Sequence, residues 1–149
     1  MDAWELLCEI ERKCGYSLWL IEQQFGVLYC LNAESEVEKI FSYYKMQTDS
    51  MLIRNILSFL KWRKDVNVNF DKYMNYVEKL LQNYKKGSIT GVYLQNKLSI
   101  RKDASRNSYK LALQVDETFS LIDLYETVID ALFFQLHKDT EWVDANLLR

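Results

Sequence analysis

The absence of proline is the feature of this 149-residue chain that most constrains its fold. Proline is the strongest breaker of helices, and only four glycines are present, so helices meet few interruptions along the chain. Leu, Glu, Lys, Gln and Ile occupy most of the periodic positions, and this favours helices over strands. With 49% apolar residues the chain is able to bury one core. We therefore expect a single domain over residues 1–149, mainly α, built as a compact multi-helix bundle.

Residues 17–31 are the part of the chain for which periodicity gives no single answer. Two short apolar runs, residues 17–21 and 27–31, flank Gly26. Runs of this length are typical both of a buried helix and of short strands. Both possibilities stay open from the sequence, and short strands within residues 17–31 would be an exception in an otherwise helical chain.

Capping residues divide the rest of the chain into helices. Gly15 and Gly87 are expected to end helices, and the pattern from Ser35 to Glu38 predicts a capping box at the start of another. A polar residue among positions 48–50 is expected to cap the helix that follows it. The expected helices cover residues 3–14, 35–46, 51–64, 70–86 and 91–98, and a final long helix runs from about residue 109 or 116 to residue 136.

The chain offers few of the residues that catalysis or cofactor binding requires. Its glycines do not form the loops that hold dinucleotides or nucleoside triphosphates. The single histidine, His137, follows an apolar helix end, where a histidine is typically a capping or surface residue. No nucleophile beside a base, no paired acid and base and no metal triad is recognisable. We expect no enzymatic activity, no cofactor and no metal.

The cysteines and the N-terminus indicate the compartment. Cys8, Cys14 and Cys30 lack the C-x-x-C spacing of zinc sites and form an odd set, so each is expected to be a small buried hydrophobic residue in a reducing environment. The N-terminus is acidic where a signal peptide is basic, and no apolar run approaches the roughly 18 residues that span a bilayer. These observations predict a cytoplasmic protein with no membrane partner.

Acidic and basic residues lie in separate blocks, although the net charge is only −2. Residues 1–40 carry eight acids against three bases, residues 41–84 four against seven, residues 85–115 one against seven and residues 116–149 eight against two. Such blocks indicate oriented electrostatics. A nucleic-acid-binding protein would show a dominant basic surface, and here the basic block is no larger than the acidic block after it, so nucleic acid is not the expected partner.

Four carboxylates of the expected long helix share one face. At about 100° per residue they fall within an arc of about 80°, opposite a broad apolar face, so we expect them to be exposed. Like charges at this spacing repel, and stability alone does not favour the arrangement. The row consists of Asp116, Asp123, Glu126 and Asp130, and Asp139, Glu141 and Asp144 extend the acidic field beyond it.

This acidic row has two interpretations from the sequence. It is either a solvated helix face offset by the nearby basic block, or a partner site in which the carboxylates present a row of charges to a basic protein. Metal binding is the weaker idea, because acids one or two turns apart diverge too far to form a compact oxygen cage.

Several features of the second half of the chain occur together in a known family. They are a helix ending over residues 80–87, the turn Gly87-Ser88-Ile89-Thr90 with Ile89 as hydrophobic staple and Thr90 as N-cap, a helix entered at residues 91–94, a long helix around residues 121–125 and an acidic ending over residues 139–148. In these features the stretch from Tyr76 to Arg149 resembles the colicin D type of bacterial immunity proteins, which we group with the immunity proteins of contact-dependent inhibition systems. That family often has an acid where this chain has Tyr93, and residues 1–70 have no counterpart in its short members.

The resemblance implies a helical cytoplasmic protein, with residues 1–70 as an N-terminal extension and residues 71–149 as the immunity-like region. It also implies a one-to-one complex with a toxin nuclease that cleaves tRNA, in which acidic residues occupy the basic active-site cleft as a phosphate mimic. Two rival hypotheses remain. One is a structural helical adaptor, and the other is a nucleic-acid-binding accessory protein that uses Lys97, Arg101, Lys102, Arg106 and Lys110.

Overall fold

The computed structural model describes residues 2–98 and 106–133, and all regular structure in these ranges is helical. The expected mainly α fold is confirmed. Within residues 17–31 the chain forms one helix, Leu18–Cys30, and not a pair of strands. The helices are α1 (Ala3–Cys14), α2 (Leu18–Cys30), α3 (Glu34–Gln47), α4 (Met51–Lys64), α5 (Phe70–Gln82), α6 (Ile89–Leu98), α7 (Arg106–Phe119) and a further helix, α8, over residues 121–133.

Helix α2 lies at the centre of the fold. It is apolar around most of its circumference, which suits a helix that is covered on several sides. It packs against α1, α3 and α4, and α4 in turn packs against α5 and α6. Helix α6 connects this group to α7. One hydrophobic cluster runs through these helices and includes Phe25, Val37, Ile56, Leu57, Val77, Tyr93, Leu94 and Ala112.

Several helix ends follow from local capping chemistry. Gly15 ends α1 with a positive φ of 77°, as expected, and its N–H donates to the Glu11 carbonyl. Of the candidates at positions 48–50, Ser50 is the cap of α4, and its hydroxyl accepts from the Ile53 N–H. Helix α5, in contrast, ends at Gln82 with Asn83 as its C-cap, so Gly87, which has a φ of 78° in the turn that follows, does not end this helix as expected.

Two expected caps at helix starts are also wrong. Helix α3 begins at Glu34 behind Ala33 and has no side-chain cap, so Ser35 lies inside the helix and does not start it. At the start of α6 the hydroxyl of Ser88, not that of Thr90, accepts from the Gly91 N–H at 3.2 Å. Ile89 is exposed and therefore does not act as a buried staple. The turn is a helix start, displaced by two residues from the expected position.

The expected long helix is divided at Ser120 into two helices. Helix α7 ends at Phe119, and Ser120 then caps α8, with its hydroxyl accepting from the Asp123 N–H at 3.4 Å. The Ser120 carbonyl accepts from the Leu124 N–H at 2.9 Å, the first backbone bond of α8. Because α7 and α8 are separate helices, their carboxylates do not lie on one helix face.

The cysteine expectation is also wrong, because Cys8, Cys14 and Cys30 are all exposed and free. In the described ranges, no helix is both long enough and apolar enough to cross a membrane.

Candidate functional site

Helix α8 presents its polar side to the protein and its apolar side to solvent. Asp123 and Thr127 are buried, whereas Leu121 is 81% exposed and Tyr125 is 68% exposed. The spacing of the exposed apolar residues follows one stripe of the helix, the face opposite the buried carboxylate. We call this stripe the outer face of α8; it consists of Leu121, Tyr125, Val128 and Leu132.

Asp116 of α7 is completely buried, so the expectation that it is exposed is wrong. Its carboxylate accepts from the hydroxyl of Tyr93 at 2.8 Å and from that of Thr127 at 2.5 Å. The Lys97 ammonium lies 3.1 Å from the same carboxylate. These contacts tie α6, α7 and α8 together. Burial, followed by the Asp116 charge, raises the pKa of Tyr93 well above its usual value, so its hydroxyl stays protonated and donates.

Lys97 stands at the centre of this ion cluster and is only 9% exposed. Besides Asp116, its ammonium contacts the Thr127 hydroxyl at 3.1 Å and the Glu126 carboxylate at 3.6 Å. A buried lysine engaged in this way is not available to a phosphate backbone. The hypothesis of a nucleic-acid-binding block therefore loses Lys97; Lys110 is exposed, while Arg101 and Lys102 lie outside the described residues.

Asp123 is 2% exposed, which again contradicts the expected solvent-facing row. Its two carboxylate oxygens accept from the backbone N–H groups of Leu18 and Trp19, both at 2.9 Å. These are first-turn donors of α2, where a negative charge also meets the positive end of the helix dipole. Burial nevertheless raises the pKa of Asp123, outweighing these two hydrogen bonds and the attraction of Lys97. Asp123 thus attaches α8 to the central helix.

A second ion pair continues the polar interior towards α4. Glu22 of α2 accepts two hydrogen bonds from Arg63, one of them from Nε at 2.8 Å, and Lys64 lies 3.4 Å from the same carboxylate. Arg63 also donates to the Lys97 carbonyl at 3.0 Å, which satisfies a carbonyl at the end of α6. The result is a continuous set of charged groups between α2, α4, α6, α7 and α8.

Two cavities meet beside α8. An apolar groove of ≈ 370 Å³ is lined by Ile122, Tyr125 and Ile129 and also by Trp19, Glu126 and Asp130. A polar cleft of ≈ 290 Å³ opens between α2, α4, α6, α7 and α8. The cleft shares Trp19, Glu126 and Asp130 with the groove, so these three residues form the junction between an apolar and a charged space.

The structure therefore places the predicted site residues in different environments. Asp116 and Asp123 are buried and have intramolecular partners, and this places them out of reach of a partner surface. The Glu126 side chain is 38% exposed and Asp130 is half-buried, and the structure brings these two together at the junction. Asp139, Glu141 and Asp144 lie outside the described residues, as does His137.

Sequence reasoning missed Trp19 and the outer face of α8. The pattern Ser120-Leu121-Ile122-Asp123 is a capping motif, and it indicates a helix start inside the expected long helix. Nothing in the sequence indicates Trp19 in the same way, because it reaches the site only through the packing of α2 against α8.

Among the described residues, no group of three or more His, Cys, Asp or Glu side chains is placed to hold a metal ion. No protein-family model matches the chain, and no curated protein and no solved structure matches it.

Proposed function

We propose that this chain is an immunity protein that binds a basic toxin nuclease in a one-to-one complex, with the outer face of α8 as its docking surface. The observation that carries the proposal is the reversed orientation of α8, whose polar side is buried and whose apolar side is exposed. The resemblance of residues 76–149 to colicin D-type immunity proteins supports the same class of partner.

An exposed apolar stripe of this kind is typical of a protein-binding surface. Leu121, Tyr125, Val128 and Leu132 are spaced by four, three and four residues, the spacing of a seam that packs against another helix. The helix cannot turn this stripe inwards at low cost, because Asp123 and Thr127 would leave their buried partners. Among the described residues nothing covers the stripe, which is the condition for docking a second molecule.

The acidic residues beside the outer face indicate that the partner is basic. Glu126 and Asp130 stand beside the outer face and retain partial access to solvent. Carboxylates at the rim of an apolar surface attract a basic protein and disfavour an acidic one. Compared with the expected row of four acids, this surface has fewer charges, so apolar burial contributes more of the affinity and electrostatic steering contributes less.

The proposal is tested by capturing the tagged chain from its native host in moderate salt and assaying the bound material. We expect a basic polypeptide whose nuclease activity appears only after it is separated from the chain. The variant Tyr125→Asp places a charge in the apolar surface and is expected to abolish capture.

The matched control is Leu31→Asp, which changes another exposed leucine, the C-cap of α2, about 20 Å along that helix from Leu18. Capture is expected to survive this change. Equal losses in both variants, or recovery of nucleic acid without a protein, would contradict the proposal.

A further inference from the structure

We propose that a small cavity beside the break at Ser120 receives one branched aliphatic side chain of the bound protein, that of a leucine, isoleucine or valine. We call it the Tyr16 cavity, after the tyrosine that stands at its rim together with Phe119. The inference rests on the proposed function and adds a specific contact to the docking surface. The size of the cavity, its polar groups and its position each support it.

The size of the Tyr16 cavity suits the end of an aliphatic side chain. Its volume is ≈ 70 Å³, and its buried walls include the side chains of Ile21, Ile53 and Leu57. An apolar cavity of about 150 Å³ holds a benzene ring, so a cavity of about half that volume is too small for an aromatic side chain. It has room for the branched end of an aliphatic side chain, whose burial is favoured by the hydrophobic effect.

The polar side chains that line the cavity are engaged within the chain. Asp123 accepts from two backbone N–H groups of α2, and Ser17 accepts from a third at 3.0 Å. The Tyr44 hydroxyl donates to a glutamine of α2 at 2.8 Å. The hydroxyls of Thr48 and Ser120 accept from backbone N–H groups at 3.2 and 3.4 Å. A polar guest would give up its hydrogen bonds to water for groups that already have partners, so the lining favours an apolar guest.

The Tyr16 cavity continues the outer face of α8. Phe119 at its rim is 51% exposed and stands two residues before Leu121, the first residue of that face. The Cα atoms of residues so placed are at most about 7 Å apart. Exposed apolar surface therefore runs from α8 across Ser120 to the rim, and a protein that packs on the outer face reaches the cavity.

The rim of the cavity has the composition of a binding anchor. Tyr16 is 52% exposed, and its ring centroid lies 5.9 Å from that of the buried Tyr44, which supports it. The residues that dominate binding energy in protein interfaces typically insert into a pocket and are surrounded by contacts that exclude water. Tyr16 and Phe119 would cover an inserted aliphatic side chain in this way.

The probe for this site is N-acetyl-leucine methylamide, titrated into the full chain while the methyl groups of Ile53 and Leu57 are followed by nuclear magnetic resonance. The matched probes are the alanine analogue, which lacks the branched end, and the phenylalanine analogue, which carries a ring. We expect the leucine probe to shift both methyl signals in a saturable manner. It is expected to bind at least about 10-fold more tightly than either analogue, because it alone both fits and fills the cavity.

Two variants of the cavity wall change its size in opposite directions. Ile53→Phe fills part of the cavity and is expected to abolish the saturable shift at Leu57, whereas Ile40→Phe, at a half-buried position of α3 that does not line the cavity, leaves it unchanged. Ile53→Ala removes three carbons from the wall, so we expect it to admit the phenylalanine probe. A gain of binding of this kind does not arise from a loss of folding, and the dispersion of the amide spectrum verifies that each variant is folded.

Several results would overturn the inference. They are equal binding of the leucine and alanine probes, tighter binding of the phenylalanine probe to the wild-type chain, and no shift of Ile53 and Leu57. Nuclear Overhauser contacts in the free protein between Ile53 and an aliphatic side chain of residues 134–149, or of a second copy, would also overturn it, because the cavity would then have another occupant.

This experiment and the capture experiment fail separately. Ile53→Phe is expected to weaken binding of the captured nuclease at least about 10-fold. If the leucine probe does not bind, or if Ile53→Phe leaves that affinity unchanged, while Tyr125→Asp still abolishes capture, the docking surface stands and the aliphatic contact falls. If the leucine probe binds but no basic protein depends on Tyr125, the preference of the cavity stands and the proposed function falls.

Discussion

Replacing Lys97 with methionine would remove the cation that joins α6, α7 and α8. Methionine fills a similar volume, so the main change is electrostatic. Asp116 would keep the hydroxyls of Tyr93 and Thr127 but would lose the lysine ammonium that lies 3.1 Å away, while remaining completely buried. Removing one member of a buried ion pair typically costs about 3–5 kcal/mol. We expect Lys97→Met to lower the free energy of unfolding by an amount in that range.

The measurement is urea unfolding at pH 7, with the shift of the midpoint converted through the slope of the wild-type curve. The double variant Lys97→Met with Asp116→Asn also removes the Asp116 charge that Lys97→Met leaves unpaired. We expect it to be more stable than Lys97→Met alone, a result that would demonstrate coupling between the two residues. Lys110→Met, at an exposed position of α7, serves as the matched control and is expected to leave the midpoint unchanged. A loss below about 1 kcal/mol in Lys97→Met, or strict additivity in the double variant, would refute the reasoning.

Three further predictions concern single positions. Because the pKa of Glu126 is raised above its ordinary value of 4.5, its ionisation disfavours the folded state, so Glu126→Gln should gain stability relative to wild type as the pH rises from 4 to 7. Asp123→Ala removes both acceptors at the start of α2 and should cost about 2 kcal/mol in urea unfolding. Gly87→Ala places a side chain at a φ of 78° and should cost about 1 kcal/mol, although nothing crowds the new methyl group.

Each of these has an outcome that would contradict it. For Glu126, the contradicting outcome is a wild-type protein that becomes more stable relative to Glu126→Gln as the pH rises, because the ionised Glu126 carboxylate would then stabilise the folded state. For Asp123, an unchanged midpoint would mean that water replaces the carboxylate at α2 without loss. For Gly87, a neutral or stabilising alanine would mean that the turn relaxes to a negative φ.

Much of the fold follows from local sequence chemistry. The absence of proline and the spacing of apolar residues indicated the helices, and Gly15 ends α1 as expected. The ambiguity at residues 17–31 arose because α2 is buried on several sides and therefore has no clear apolar face. Its helical nature depends on the neighbours that cover it, which periodicity does not reveal.

The candidate site was harder to predict, because a helical wheel separates a polar face from an apolar face but does not show which of the two is buried. The usual rule places the apolar face inside, and α8 reverses it. The reversal depends on distant partners: Asp123 binds the backbone of Leu18, 105 residues earlier, and Thr127 binds Asp116 across the break at Ser120. The break itself has a local signal, the Ser-Leu-Ile-Asp cap, whereas the partners of the buried carboxylates have none.

The docking role of the outer face of α8 is tested most directly by site-specific photocrosslinking in the native host, with a photoreactive phenylalanine derivative at position 125 and, as control, at position 31. We expect the chain with the probe at position 125 to crosslink to a single basic polypeptide with nuclease activity, and the chain with the probe at position 31 not to do so. Adducts of the same kind at both positions, an adduct of two copies of this chain, or no adduct at position 125 would contradict the claim that the outer face of α8 is the docking surface.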